Sequence, residues 1–214
     1  MPIIHCPLCA SDTPSAFQRD KQRDYLRCRC CQLVFVPEYQ HLEPTMEKAI
    51  YDLHENDADD PAYQGFLSRL STPLLARLPM DSAGLDYGCG PGPLLASMLS
   101  RRGHRVKTYD PYYAKHPQNL QQSYDFITCT EVVEHFRRPG REFQRLFAML
   151  KPLGLLAIMT KLVIDAEAFG RWHYKNDPTH ISFFSTETMQ WLAQLYQCRV
   201  EFIGKDVIIF QTQA

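Results

Sequence analysis

The sequence predicts an α/β fold: a mostly parallel sheet flanked by helices, closed by a C-terminal antiparallel hairpin and preceded by a small cysteine-held module. Three observations predict it. From about residue 61 onward, helix-like and strand-like apolar runs alternate. A glycine-rich turn, "GCGPG", joins the first strand of that series to its helix. Five of the eight cysteines fall within the first 31 residues.

Residues 1–36 read as short strands and turns, "CPLC" and then "DYLRCRCCQLVFV", with five Lys/Arg against three Asp/Glu. Residues 37–62 form an acidic linker of eight acids and one Lys, with a short helix expected over "TMEKAIYDLHE". Residues 63–214 make up the larger domain. Its first helix begins just before that boundary, in "PAYQGFLSRLSTPLLARLP", and is expected to break near Pro73. "AGLDYG" is the first strand, "GPLLASMLSRRG" a helix closed by Gly103, and "HRVKTYD" the second strand. "YDFITCT" follows as a strand and "REFQRLFAML" as a helix with Phe143, Leu146, Phe147 and Leu150 on one face. "GLLAIMT" is a strand, "STETMQWLAQLY" a helix capped by Ser185, and "CRVEFIG" and "VIIFQTQ" pair last.

Net charge is −1, which gives the chain no overall electrostatic pull toward nucleic acid or anionic membrane. No apolar run approaches the roughly 18 residues of a membrane span, and the start lacks the basic-then-apolar pattern of a signal peptide. The clustering of cysteines fits a metal site in a reducing compartment, so a cytoplasmic location is expected.

Cys6-x-x-Cys9 and Cys28-x-x-Cys31 are separated by eighteen residues, the spacing of a structural zinc site. Cys30 and His5 are alternative ligands. Cys89, Cys129 and Cys198 are expected as small buried apolar side chains. The module resembles the zinc ribbons that precede several bacterial methyltransferases.

"LDYGCGPGPLLA" places Gly88, Gly90 and Gly92 between strand and helix, where backbone N–H groups can approach a ligand. Pro93 occupies the sixth position of a G-x-G-x-x-G fingerprint, which removes the dinucleotide reading. An acid-ended strand followed by G-x-G-x-G resembles the first motif of class I S-adenosylmethionine-dependent methyltransferases, Rossmann-like enzymes. The resemblance extends through Asp110, "YDFITCTEVVEH" and "LKPLGLLAIMT". It implies S-adenosylmethionine as cofactor, held by Asp86, Gly88, Cys89, Gly90, Gly92, Asp110, Tyr112 and Thr130, with Asp110 on the ribose hydroxyls. Only residues 111–124 separate Asp110 from the next strand, so the sheet is expected to lack the family's third strand.

Glu131, Glu134 and His135 stand at i, i+3, i+4 and would share one helical face. "WHYKNDPTHISFFS" offers His173, Asp177 and His180 as further polar groups, and leaves Trp172 and Tyr174 open as cleft or core. "EVVEH" resembles the E-x-x-E-H element of ubiquinone-pathway O-methyltransferases and of small-RNA 2′-O-methyltransferases. That likeness implies Glu131, Glu134, His135 and His180 as the catalytic set, with Mg²⁺ or Mn²⁺ between them. The function expected is O-methylation of a small-molecule hydroxyl. Two alternatives stand beside it: an RNA methyltransferase that grips RNA through the ribbon, and a cofactor-binding partner protein without activity.

Overall fold

The computed structural model describes residues 4–53 and 60–214. Two cysteine turns flank a hairpin of β1 (Pro14–Arg19) and β2 (Asp24–Cys28), with the two-residue β3 (Val34–Phe35) beside it. The linker helix is α1 (Pro44–Tyr51); His54 and Glu55, the end of its predicted stretch, lie outside the described residues.

The larger domain runs α2 (Pro61–Leu75), β4 (Ala83–Tyr87), α3 (Leu94–Arg101), β5 (Arg105–Tyr109), β6 (Tyr124–Thr130), α4 (Pro139–Ala148) and β7 (Leu150–Met159). It continues with α5 (Ala166–Gly170), β8 (Ser182–Phe183), α6 (Thr186–Leu195), β9 (Arg199–Ile203) and β10 (Val207–Gln211). The helix containing Pro73 does not break there: it continues to Leu75, because the loss of one N–H so near the end costs little while Leu70 and Leu74 are fully buried on the sheet.

The central sheet has the order β5-β4-β6-β7-β10-β9, the first four strands parallel and β10 antiparallel to both neighbours. No strand lies between β5 and β6. A tight turn at Asp110–Ala114 and a short 3₁₀ helix at Pro117–Gln121 make the connection instead. The period of two sorts the sheet's side chains. Leu85, Ile127, Cys129, Leu156, Ile158, Ile208 and Phe210 meet α4 and α6 on one face. Phe126, Leu155, Ala157, Met159, Val207 and Ile209 meet α2 and α3 on the other.

The N-terminal strands form a second sheet, β1-β2-β3-β8, whose fourth strand comes from the far end of the chain. Tyr25, Val34, Val36, Val163, Phe169, Tyr174, Ile181 and Phe183 share a third core there. The first cysteine turn also seats on α4: Gly140 donates its N–H to Pro7 O at 3.2 Å, and a Cβ at Gly140 would lie 2.3 Å from Leu8 O. Gly140→Ala should therefore destabilise the protein by about 1–3 kcal/mol, because backbone must move. Gly65→Ala, on an exposed helical site where a Cβ meets nothing within 4 Å, should stabilise it by about 0.5–1 kcal/mol. Paired thermal melts check both signs, and equal shifts would contradict the packing argument.

Candidate active site

At β4 the strand order reverses, with β5 on one side and β6 on the other, and the crevice beyond such a point is where open α/β sheets bind ligands. A cleft of about 900 Å³ opens there. Its floor is the glycine loop. Gly88 (φ +76°) and Gly90 (φ +64°) take left-handed backbone, and a Cβ at Gly88 would strike Val132 at 2.5 Å. Above Gly90 a Cβ would meet nothing within 4 Å, so the loop leaves room for a ligand against its backbone.

Asp110, buried at the end of β5, ties this loop to the next turn: its carboxylate accepts the N–H of Gly90 (3.1 Å), Tyr112 (2.7 Å) and Tyr113 (3.0 Å). Asp86 accepts the hydroxyl of Thr128 at 2.7 Å, and burial pushes its carboxyl up to about 6. Thr130 Oγ1 is buried on the cleft wall without a hydrogen-bond partner, an orphan that a ligand would satisfy. Cys89, Gly92 and Tyr112 also line the cleft. Cys89 and Cys198 are half-buried and only Cys129 is fully enclosed, so the expectation of three buried thiols holds for one.

The stretch 131–135 departs from the single helical face. Glu131 has φ +52°, held by its N–H on Met159 O at 2.8 Å, which prolongs the β6–β7 pairing by one residue. A 3₁₀ turn, Val133–His135, then carries Glu134 into the interior at 0% exposure. Its Oε1 accepts the hydroxyl of Tyr174 at 2.5 Å and its Oε2 that of Thr160 at 3.0 Å. The same Tyr174 hydroxyl lies 3.2 Å from Glu131 Oε2. Burial raises both acids, Glu131 to about 8 with help from the charge of Glu134, and Glu134 to about 7.

His180 comes to the same place: its ring centroid is 4.7 Å from that of His135 and 4.2 Å from that of Tyr174. His135 Nδ1 is 3.1 Å from Thr179 O, and His180 Nδ1 is 2.7 Å from Tyr174 O. Carbonyls only accept, so both Nδ1 atoms carry protons and Nε2 is the ligating nitrogen of each ring. Burial lowers His180 to about 4 and keeps it neutral. Ligand atoms of Glu134, His135 and His180 lie within 4.8 Å of one another; Glu131 joins them through Tyr174 rather than as a fourth member of that group. Two imidazoles with Nδ1 on carbonyls and a carboxylate make a donor set for a divalent ion.

A second donor set is the cluster of Cys6, Cys9, Cys28 and Cys31, whose sulfurs all lie within 4.8 Å. Two pairs are at 3.5 Å, near the edge of about 3.8 Å that four bonds of about 2.3 Å give a tetrahedron. The two turns match: Ala10 and Gln32, each one residue past a C-x-x-C, have φ +60° and +62°, and each donates to the carbonyl of its first cysteine. The hydrogen bond with Cys31 lowers Cys6 to about 6 and holds Cys31 far above the thiol range, while burial pushes Cys9 up to about 12. Four thiolates here require a cation. Cys30 and His5 are exposed and outside the cluster.

Some cleft residues carry no local signal in the sequence. Tyr51 packs its ring against Tyr112 (5.7 Å) and His135 (5.2 Å), and Glu47 pairs with Arg137 at 2.8 Å, so the acidic segment roofs the cleft. Tyr174 belongs to cleft and third core alike, and Trp172 packs against that core. His173 is exposed at the rim, 3.1 Å from Lys161.

A switch-point cleft with a glycine floor and an acid-ended second strand defines an α/β enzyme that binds a nucleoside-type cofactor. A methyltransferase domain family matches residues 60–201, and the chain belongs to that family as an S-adenosylmethionine-dependent methyltransferase. The fold is similar to that of a Burkholderia thailandensis 1,6-didemethyltoxoflavin N1-methyltransferase solved with its substrate and S-adenosylhomocysteine (TM-score 0.55, 16% identity, 94% of this chain and 99% of that one). It is also similar to a Pyrococcus horikoshii protein (TM-score 0.55, 15% identity, 77% and 99%) and to an Archaeoglobus fulgidus S-adenosylmethionine-dependent methyltransferase (0.54, 16%, 70% and 94%). No curated protein matches the sequence significantly. Among the described residues, no helix is long and apolar enough to cross a membrane.

The acid pair generates a pH dependence. Glu134 binds its proton more tightly folded (about 7) than its ordinary value of 4.5, so its contribution to stability is present below about 4.5 and is lost as pH rises through 7. Glu131, raised to about 8, has the same sign. In metal-free protein, Glu134→Gln should therefore gain melting temperature relative to wild type as pH is raised from about 5 to about 8. A difference that is flat with pH would contradict the buried-acid geometry.

Proposed function

We propose that this methyltransferase moves the methyl group of S-adenosylmethionine to a hydroxyl of a small molecule, beside a divalent ion held by Glu134, His135 and His180. The observation that carries the reading is the pair of imidazoles, each fixed through Nδ1 by a backbone carbonyl, converging with a buried carboxylate at the cleft. When bound, Mg²⁺ or Mn²⁺ supplies Lewis acidity that lowers the pKa of a coordinated hydroxyl.

In this reading Asp86, Gly88, Cys89, Gly90, Gly92, Asp110, Tyr112 and Thr130 hold the cofactor. The glycine loop leaves space for the methionine part and Asp110 receives the ribose hydroxyls with its remaining acceptor capacity. Glu131, half-buried on the cleft wall, takes the hydroxyl proton in its ionised form as methyl transfer proceeds. Tyr174 keeps the two carboxylates together and fixes their orientation. Catalysis is then chiefly the holding of acceptor oxygen and sulfonium methyl in line.

The three-part organisation, with residues 1–36 as a zinc ribbon, 37–62 as an acidic linker and 63–214 as the methyltransferase domain, belongs to the same proposal, as does the reducing cytoplasm that four thiolates require. The ribbon is read as structural rather than RNA-gripping, because Arg23, one of its five cations, is buried against the protein's own backbone.

Brief EDTA treatment should abolish turnover while S-adenosylhomocysteine still binds, and about one equivalent of zinc should remain with the cysteines. If activity survives chelation but Glu134→Gln or His135→Ala removes it, these groups act as acid–base or positioning residues without metal. On the cofactor side, Asp110→Ala should weaken S-adenosylhomocysteine by about tenfold or more, the loss of hydrogen bonds to a charged group worth about 1.5–3 kcal/mol. Unchanged affinity in calorimetry would remove Asp110 from the cofactor site.

A further inference from the structure

The segment that carries Tyr174, Asp177 and His180 has one short 3₁₀ helix, His173–Asn176, and is otherwise irregular, yet Tyr174, Lys175, Thr179 and His180 are buried. Buried carbonyls must be paired, so each can be followed to its donor. Tyr174 O takes His180 Nδ1 and Thr179 O takes His135 Nδ1. The carbonyls of Lys175, Asp177 (3.0 Å), Pro178 (3.2 Å) and His180 (2.9 Å) all go to one side chain, the guanidinium of Arg23.

Arg23 lies more than 150 positions away, at the tip of the β1–β2 hairpin that the cysteine turns hold, and is 8% exposed. Asp20 fixes the hairpin end of this contact. Its carboxylate accepts the N–H of Gln22 and Arg23, each at 2.8 Å, the hydroxyl of Tyr25 at 2.8 Å and the ammonium of Lys175 at 2.9 Å. Beside it, Val36 N–H reaches Ile181 O and Ile181 N–H reaches Glu134 O, both at 2.9 Å. A continuous path thus joins the four-cysteine cluster to both halves of the candidate metal site.

We propose that Arg23 is a positioning residue for the methyl-acceptor site: its planar fork gathers four carbonyls of residues 175–180 and thereby aims His180 and Tyr174 at Glu134. This rests on the reading of Glu134, His135 and His180 given above. It assigns the N-terminal module a task inside the active site, as a buttress behind the catalytic loop. Only arginine suits the place, since its rigid array of five N–H donors can serve several carbonyls at once, whereas a lysine ammonium is a point with three.

The test uses the full chain with Arg23→Ala, Arg23→Lys and, as a control on the same hairpin, exposed Lys21→Ala. Three quantities are read: S-adenosylhomocysteine affinity, Mn²⁺ affinity, and the ¹⁵N imidazole resonances of His180 with amide exchange over 174–181. Both Arg23 variants should keep cofactor affinity within about twofold and lose Mn²⁺ affinity by about tenfold or more, as loss of support behind metal ligands does. They should also lose the Nδ1–H signature of His180 and exchange faster over that segment, while Lys21→Ala matches wild type. If wild type binds no Mn²⁺, the metal reading fails and the His180 resonances and local exchange decide Arg23 alone. Unchanged resonances and exchange in Arg23→Ala would overturn the proposal. So would a uniform loss of protection across the chain in Arg23→Lys, since Arg23 would then serve the fold at large.

Discussion

Glu134 has no solvent exposure, and a carboxyl group so placed must be hydrogen-bonded, protonated or paired with a cation. Much of the cleft wall around Glu134 answers that requirement. Thr160 at the end of β7 and Tyr174 beyond α5 supply hydroxyls to its two oxygens, its own backbone carbonyl anchors Ile181, and the two imidazoles lie within ligand distance. Elements from four parts of the chain meet because one buried acid needs partners from each. A cation there would offset the burial that raises Glu131 and Glu134, and the two imidazoles, each with Nδ1 on a carbonyl, leave Nε2 to receive one.

The glycine-loop side of the cleft obeys a different constraint, the closeness of backbone. Between β4 and α3 the chain must turn sharply while keeping N–H groups open to the cleft, and only glycine accepts the left-handed φ at 88 and 90 without collision or strain. Asp110 then does with one side chain what a longer connection does elsewhere. By accepting three backbone N–H groups it shapes the loop and the Tyr112–Tyr113 turn together, so that fourteen residues carry the chain from β5 to β6.

The N-terminal module has too little chain to bury a core of its own, and its stability is shared outward. Its cysteines set two matching turns, its sheet takes β8 from the larger domain, and its aromatic residues pack with Phe169, Tyr174 and Phe183. Strand pairing and apolar contact therefore act on the same short module, whose four cysteine sulfurs also lie within reach of one cation. The module is built into the back of the cleft wall that carries Glu134 and His180 rather than attached beside it.

What the sequence by itself determined is whatever depends on near neighbours along the chain. Strand β6 is "YDFITCT" residue for residue, Gly103 closes α3, Ser185 caps α6, and the two C-x-x-C turns meet at the separation their spacing implies. The short link after Asp110 announced a sheet without its third strand. The tertiary structure alone decided the rest. It placed Glu131 in left-handed backbone, which no i, i+3, i+4 pattern encodes, because the pairing of β6 with β7 reaches one residue further than either strand announces. It carried α2 through Pro73, since buried leucines outweigh one missing hydrogen bond at a helix end. It joined β3 to a two-residue β8, roofed the cleft with Tyr51 and Glu47, and sent Arg23 to the loop of His180. Such contacts bring together residues from about 80 to more than 150 positions apart, and their partners are chosen by the need to satisfy buried polar groups, a condition that exists only once the chain has folded.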